Sequence, residues 1–258
     1  MLVGTCEAKS TVPPLLFPVV GAVNYHDDFG EPRAGGLHQG NDLLAAKRAP
    51  AIAVEDGTVE YWTTSSSAGC MLYLHGASGT MYEYIHLNND LTTGNDNKGK
   101  CVQGVAYAVA DGAHVIAGEQ IAYVGDSGDA NGLHAHLHFE VHPNGGDAVS
   151  PFKYLKRATH LLAPMPATGK QFTLKLTGTV MSWEPDSLTM RVSSAAAWPS
   201  HVKQSKLSQI VTLVLPPTDL GAWSFGENQP VVVWTLPAPG TVPALSGAPG
   251  QLLVDRVF

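Results

Sequence analysis

Met71-Leu72-Tyr73-Leu74 and Met81-Tyr82-Glu83-Tyr84-Ile85 flank Gly76-Ala77-Ser78-Gly79, and this stretch decides the fold class. Two short runs of aromatic and large apolar residues around a glycine-bracketed turn are a β-hairpin signature. The pattern repeats on either side. Val54-Glu55-Asp56-Gly57-Thr58-Val59 reads as strand, Asp-Gly turn, strand. Val115 to Val124 reads as a strand pair broken by a turn. With 27 glycines and 18 prolines, the composition favours short strands and tight turns over long helices.

Farther out the chain divides. Residues 1–16 read as an irregular leader, 17–163 as one β domain, and 164–170, beginning Pro164-Met165-Pro166, as a linker. In 171–258, Phe172, Leu174 and Leu176 alternate with Thr173, Lys175 and Thr177. Leu188, Met190 and Val192 alternate with Thr189, Arg191 and Ser193. Period-two alternation marks half-buried strands, and further strands are expected at 209–215, 230–235 and 251–257. The expectation is all-β: a twisted antiparallel sheet followed by a small β-barrel or OB-like domain. No catalytic cluster falls in that second part.

The 258 residues suffice for one large or two ordinary domains, and 44 % apolar content supports a core. A net charge of −7 without a lysine or arginine cluster disfavours a nucleic-acid partner. No apolar stretch approaches the length of a membrane span. No basic segment followed by an apolar one opens the chain, as in a mature form stripped of its export signal. Three cysteines fit neither a disulfide-rich scaffold nor a zinc knuckle. Cys70 and Cys101 could pair in an oxidising compartment; three free thiols are the equal alternative.

Chemistry concentrates in the histidines. His136-Leu137-His138-Phe139-Glu140 is an HxH on an expected strand, so His136 and His138 share one face. Both could bind one metal, or one could bind it while the other touches the bound water. His38-Gln39-Gly40-Asn41-Asp42 offers a second pair, HxxxD, between Gly36 and Gly40. Either piece alone is equally a hydrogen-bonded structural pair. Together they supply what catalytic zinc needs, three protein ligands and an open place: His38, Asp42 and one histidine of HxH. The remaining histidine is free to act as a base. His86, in Tyr84-Ile85-His86-Leu87, could donate to an oxyanion on a substrate carbonyl. Residues 89–112, a polar insertion directly after His86, are expected at the rim of the site.

These pieces, in order, resemble the lysostaphin/LytM-type zinc metallopeptidases of peptidoglycan. The matching segments are Phe17-Pro18-Val19, Asp27-Asp28-Phe29-Gly30, His38–Asp42, Ala53–Val59, Tyr84–Leu87, Gly125-Asp126-Ser127-Gly128 and His136–Glu140, over 17 to roughly 155. The resemblance implies Zn2+ held by His38, Asp42 and His138, with His136 as general base and His86 assisting the transition state. It implies an open groove for an extended peptidoglycan peptide, and a secreted or cell-envelope protein. A wall or protein partner could use the C-terminal domain. Two departures stand out: Leu133-His134-Ala135 replaces the usual proline before HxH, and polar Asn41 replaces an aliphatic residue. His134 reads as a rim residue; His26, His75, His114, His142 and His160 match nothing in the family. The alternatives are a non-enzymatic wall-binding or regulatory member of the same fold, and a histidine phosphocarrier. Filled ligand positions weigh against the first and Asp42 against the second.

Overall fold

The computed structural model describes residues 12–63, 65–166, 170–216, 224–235, 238–239, 252 and 254–258. The opening hairpin forms as read. Cys70–Gly76 pairs antiparallel with Met81–Leu87, with Tyr73 opposite Glu83, and Gly79 takes the left-handed turn position at φ +84°. A seven-stranded sheet grows around it, in the order Val23–Asn24, Asn41–Ala45, His136–His142, Met81–Leu87, Cys70–Gly76, Gly57–Trp62, His114–Val115.

Strand parity divides the faces of this sheet. Leu43, Leu72, Leu74, Tyr82, Tyr84, Leu137, Phe139 and Val141 are fully buried in the core. Burying each such side chain stabilises the fold by about 1.5–3 kcal/mol. The two tyrosines keep their hydroxyls satisfied. Tyr84 Oη donates to the Ile52 carbonyl at 2.9 Å, and Tyr82 Oη to Glu55 Oε1 at 2.6 Å. The opposite face carries Asp42, Glu83, Ile85, His138 and Glu140, aligned by the pairs His138–Asp42, His138–Ile85 and Glu140–Glu83.

Two expected pairings are corrected. Val54–Val59 is not strand-turn-strand: Pro50–Ile52 pairs with Gln120–Tyr123 in a separate small sheet, and the next strand starts at Gly57. Gly57 serves packing, because a Cβ there would lie 2.5 Å from the His75 carbonyl. Likewise Val115 pairs with Gly57, whereas Gln120–Tyr123 joins the small sheet, so the 115–124 segment is divided between two sheets.

The 89–112 insertion is anchored to the core. Cys101 is joined to Cys70 in a disulfide, which resolves the two cysteine readings; Cys6 lies outside the described residues. Tyr107 is fully buried, stacks on Tyr61 with ring centroids 3.7 Å apart, and donates to the Met71 carbonyl at 3.0 Å. The buried Asp90 carboxylate accepts the Asp96 and Asn97 amides at 2.7 and 2.6 Å and the Lys47 ammonium at 2.6 Å.

Of the leader, residues 12–16 are described: Leu15 is buried and the Leu16 amide donates to the Val54 carbonyl. At the linker, Met165 is buried and its amide donates to the Gly118 carbonyl. Beyond it, Gln171–Glu184 and Ser187–Trp198 form a long hairpin in a second seven-stranded antiparallel sheet. The strands expected downstream appear at Ile210–Val214, Pro230–Thr235 and Val254–Val257. The Val214 amide donates to the Leu252 carbonyl at 2.9 Å. That bond brings opposite edges of the sheet together, the closure a small barrel needs.

Candidate metal centre

His38 sits in the loop entering Asn41–Ala45, and His138 lies across from Asp42 in the neighbouring strand. Gly40 makes this approach possible: a Cβ there would stand 2.5 Å from the Phe139 carbonyl oxygen and 2.8 Å from His138 Nε2. Three ligand atoms converge. His38 Nε2 is 2.9 Å from His138 Nδ1 and 3.1 Å from Asp42 Oδ1, and His138 Nδ1 is 3.2 Å from Asp42 Oδ1.

The outer nitrogens fix which ring atoms face inward. His38 Nδ1 donates to the Asp28 carbonyl at 2.9 Å, and His138 Nε2 donates to Glu140 Oε1 at 2.8 Å. Ligating histidines commonly commit their second nitrogen in this way. The inner atoms, two ring nitrogens and a carboxylate oxygen, then have room for one positive species. Burial alone would raise the Asp42 pKa, but hydrogen bonds from His138 and His38 outweigh it and hold the carboxyl far below its usual range. Burial pulls His138 down, yet Asp42 and Glu140 together push it up to about 9. An ion bound between these atoms would displace that proton. The donor set of two imidazoles and a carboxylate suits zinc.

Arg33 and Asp28 brace this corner. The Arg33 guanidinium lies 3.3 Å from both Asp28 Oδ2 and Asp42 Oδ2. The buried Asn41 is explained by the same residues, since its Nδ2 donates to Asp28 Oδ1 at 2.6 Å and to the His26 carbonyl at 2.9 Å.

Two more histidines border the centre. His136 is buried, its Nδ1 donates to the His134 carbonyl at 2.9 Å, and its Nε2 lies 3.7 Å from Asp42 Oδ1. His86 adopts a left-handed φ of 60°, a strained conformation for a non-glycine residue and one found at functional sites. Its Nδ1 donates to the Ser127 carbonyl at 2.9 Å, and its ring centroid is 4.9 Å from that of His136. Burial first, and His136 second, push the His86 pKa down to about 4. With Nδ1 holding the proton, both residues present an Nε2 lone pair. An acid, the largely exposed Asp129, lies 3.7 Å from His86 Nε2.

All five residues singled out in the sequence line one open cavity of about 590 Å3, with walls from 33–39, 67–68 and 129–133. No residue of 89–112 lines it, which corrects the rim expectation; that insertion touches the wall turn through an Asn95–Asn131 bond of 2.8 Å. His134 is exposed, and its carbonyl orients His136. His75 pairs with Glu60 and His114 with Thr58, His26 is exposed, and His160 stacks on Phe17. Sequence reasoning gave no role to Glu140, Asp28 or Arg33. Glu140 was within reach of the parity rule, being two residues from His138; Asp28 and Arg33 arrive through loop geometry that no periodicity reports.

The polar face of this β-sheet gathers two histidines and an aspartate placed so that they could hold a metal ion, with two further histidines beside them. Residues 36–151 match the model of Peptidase family M23, and that span contains all five site residues. The chain is 34 % identical over 116 residues to a Haemophilus influenzae protein named as an uncharacterized metalloprotease, covering 44 % of this chain and 20 % of that protein. It thus spans about a fifth of the length of that curated relative. Among solved structures, the catalytic domain of the antimicrobial peptidase lysostaphin from Staphylococcus simulans is similar, at 25 % identity and TM-score 0.42 over 52 % of this chain and 92 % of that one. A zinc-containing peptidase from Vibrio cholerae is similar at 23 % identity and TM-score 0.39, over 53 % of this chain and 39 % of that one.

Proposed function

We propose that this chain is a zinc metalloendopeptidase that hydrolyses peptide bonds of bacterial peptidoglycan, in stem peptides or cross-bridges. The match to Peptidase family M23 supports a metallopeptidase, and the ordered motifs resembling lysostaphin/LytM-type enzymes support the substrate. The observation that carries the reading is the convergence of His38 Nε2, Asp42 Oδ1 and His138 Nδ1 within 3.2 Å of one another, with both outer ring nitrogens already committed.

His38, Asp42 and His138 would hold zinc, which would supply Lewis acidity, lowering the pKa of a water and polarising a carbonyl. His136 offers its Nε2 lone pair as general base, taking a proton from the attacking water and returning it to the leaving amine. Its bond to the His134 carbonyl holds the tautomer this requires. His86 is neutral at neutral pH with a lone pair on Nε2, so it donates to the carbonyl oxygen only after gaining a proton. The Asp129 carboxylate favours that charged form. The open cavity admits an extended peptide. The Cys70–Cys101 disulfide fits an oxidising compartment, in keeping with a secreted or envelope location. No helix among the described residues is long and apolar enough to cross a membrane.

The test is digestion of purified peptidoglycan with and without a chelator, with mass analysis of the fragments. New amine and carboxyl termini that appear only without chelator, and return on adding zinc, are the expected result. Intact peptidoglycan alongside stoichiometric zinc would sink the substrate assignment while leaving the metal centre standing.

A further inference from the structure

We infer that His142 is a positioning residue for the metal centre, acting through Glu140 on the ligand His138. The inference rests on the metallopeptidase reading of that centre and extends it outward. His138, Glu140 and His142 are alternate residues of one strand, so their side chains share a face. The Glu140 carboxylate is divided between two rings: Oε1 accepts from His138 Nε2 at 2.8 Å, and Oε2 accepts from His142 Nε2 at 2.8 Å. The other nitrogen of His142, Nδ1, donates to the Gly146 carbonyl at 2.8 Å; with both nitrogens donating the ring is the imidazolium cation, the form that Glu140 and Glu83 favour. Glu83 closes the group, with Oε1 3.4 Å from His142 Nε2. Glu140 and His142 are both buried.

The terminal torsion of a glutamate is broad, so one partner does not hold its carboxylate. With only His138 to serve, Glu140 could turn and leave the ligand free to swing. His142 removes that freedom, because its ring is itself pinned at both nitrogens. The pin is backbone: Gly146 follows the turn Pro143–Gly145, in which Asn144 and Gly145 take φ of 56° and 65°. A turn thus fixes a ring, the ring fixes a carboxylate, and the carboxylate fixes a metal ligand. Carboxylates in this position orient the imidazole and raise its basicity, and their loss typically costs 10–100-fold in metal affinity. Glu83, Glu140 and His142 also lie close enough to hold a second ion. Such an ion would replace the direct His142 Nε2–Glu140 Oε2 bond on which this positioning rests.

The experiment measures zinc dissociation constants by chelator competition for the full chain and for His142→Leu and His142→Gln, with unfolding midpoints of each metal-free protein. His142→Leu should weaken zinc about tenfold, whereas His142→Gln, whose amide can donate to the same Glu140 oxygen, should recover most of the affinity. The rescue separates positioning from bulk packing. If the leucine variant does not fold, His142→Phe, a ring without a nitrogen donor, replaces it, with the same roughly tenfold loss expected. Zinc binding indifferent to position 142, or a glutamine variant as weak as the leucine one, overturns this inference alone. Wild-type protein that holds no zinc overturns the metallopeptidase reading and this inference with it.

Discussion

The sheet built from residues 23–142 and the sheet built from residues 171–257 each have seven strands, and both are antiparallel. Their interiors differ. Among the described residues, His38, Asn41, His86, Asp90, Asp126, His136, His138, Glu140 and His142 are buried in the first region, together with Asp28, Thr80, Asn88 and Ser127. Among its described residues the second region buries one polar side chain, Thr235. A buried polar group costs free energy unless it is paired, so a sheet that accumulates so many must be offset by a dense hydrogen-bond network. The first region has that network. The candidate site belongs to the first sheet, and the described core of the second is almost wholly apolar.

The contrast can be broken most forcefully at the ligands. His138→Ala should empty the centre and bring peptidoglycan hydrolysis down to the level of chelated wild type, read by metal content and fragment release together. His136→Ala should keep its zinc while turnover falls about 10²–10⁴-fold, the usual contribution of a positioned acid-base group. If the His136 change empties the site and the His138 change does not, the two roles are exchanged.

How far the sequence revealed this difference can be followed residue by residue. Parity along His136–Glu140 placed both histidines on one face, and alternation at Phe172–Leu176 and Leu188–Val192 marked the apolar sheet, because strand geometry converts spacing directly into direction. The choice between His136 and His138 as ligand lay beyond periodicity. Distance favours His138, whose Nδ1 lies 2.9 Å from His38 Nε2 and 3.2 Å from Asp42 Oδ1, against 3.7 Å from His136 Nε2 to Asp42 Oδ1. The Asp56-Gly57 pair misled for a related reason. Its glycine answers to a cross-strand carbonyl, His75, a contact that local sequence does not report. The insertion at 89–112 read as a rim because its polarity is plain, whereas its anchors, Tyr107 and the disulfide partner Cys70, are set by tertiary contact.

Those anchors give the next effects in size. The Cys70–Cys101 disulfide spans 31 residues, so the paired change to serine should cost about 3–4 kcal/mol by chain entropy, measured by denaturant unfolding. Acidification of the metal-free protein tests the buried histidines. His86 has its folded pKa pushed down to about 4 from an ordinary 6.5. Above 6.5 both folded and unfolded forms hold the ring neutral, and the stability is fully present. As pH falls from 6.5 towards 4 the unfolded chain takes the proton first, and about 3 kcal/mol is lost. His86→Gln should flatten that slope in a series of unfolding midpoints; an unchanged slope would assign the acid sensitivity elsewhere.

The smallest effect concerns Thr235, the one buried polar side chain among the described residues of the second sheet. The Leu174 amide donates to Thr235 Oγ1 at 3.0 Å, and Thr235 is buried. Thr235→Val keeps the shape and removes the acceptor, leaving a buried N–H unpaired at a cost of about 1–3 kcal/mol. Because this pair has no link to the His38–Asp42–His138 network, zinc affinity should not move while the unfolding midpoint falls. A valine variant that also binds zinc more weakly would show that the two sheets are energetically coupled, and the division of labour drawn from their interiors would have to be abandoned.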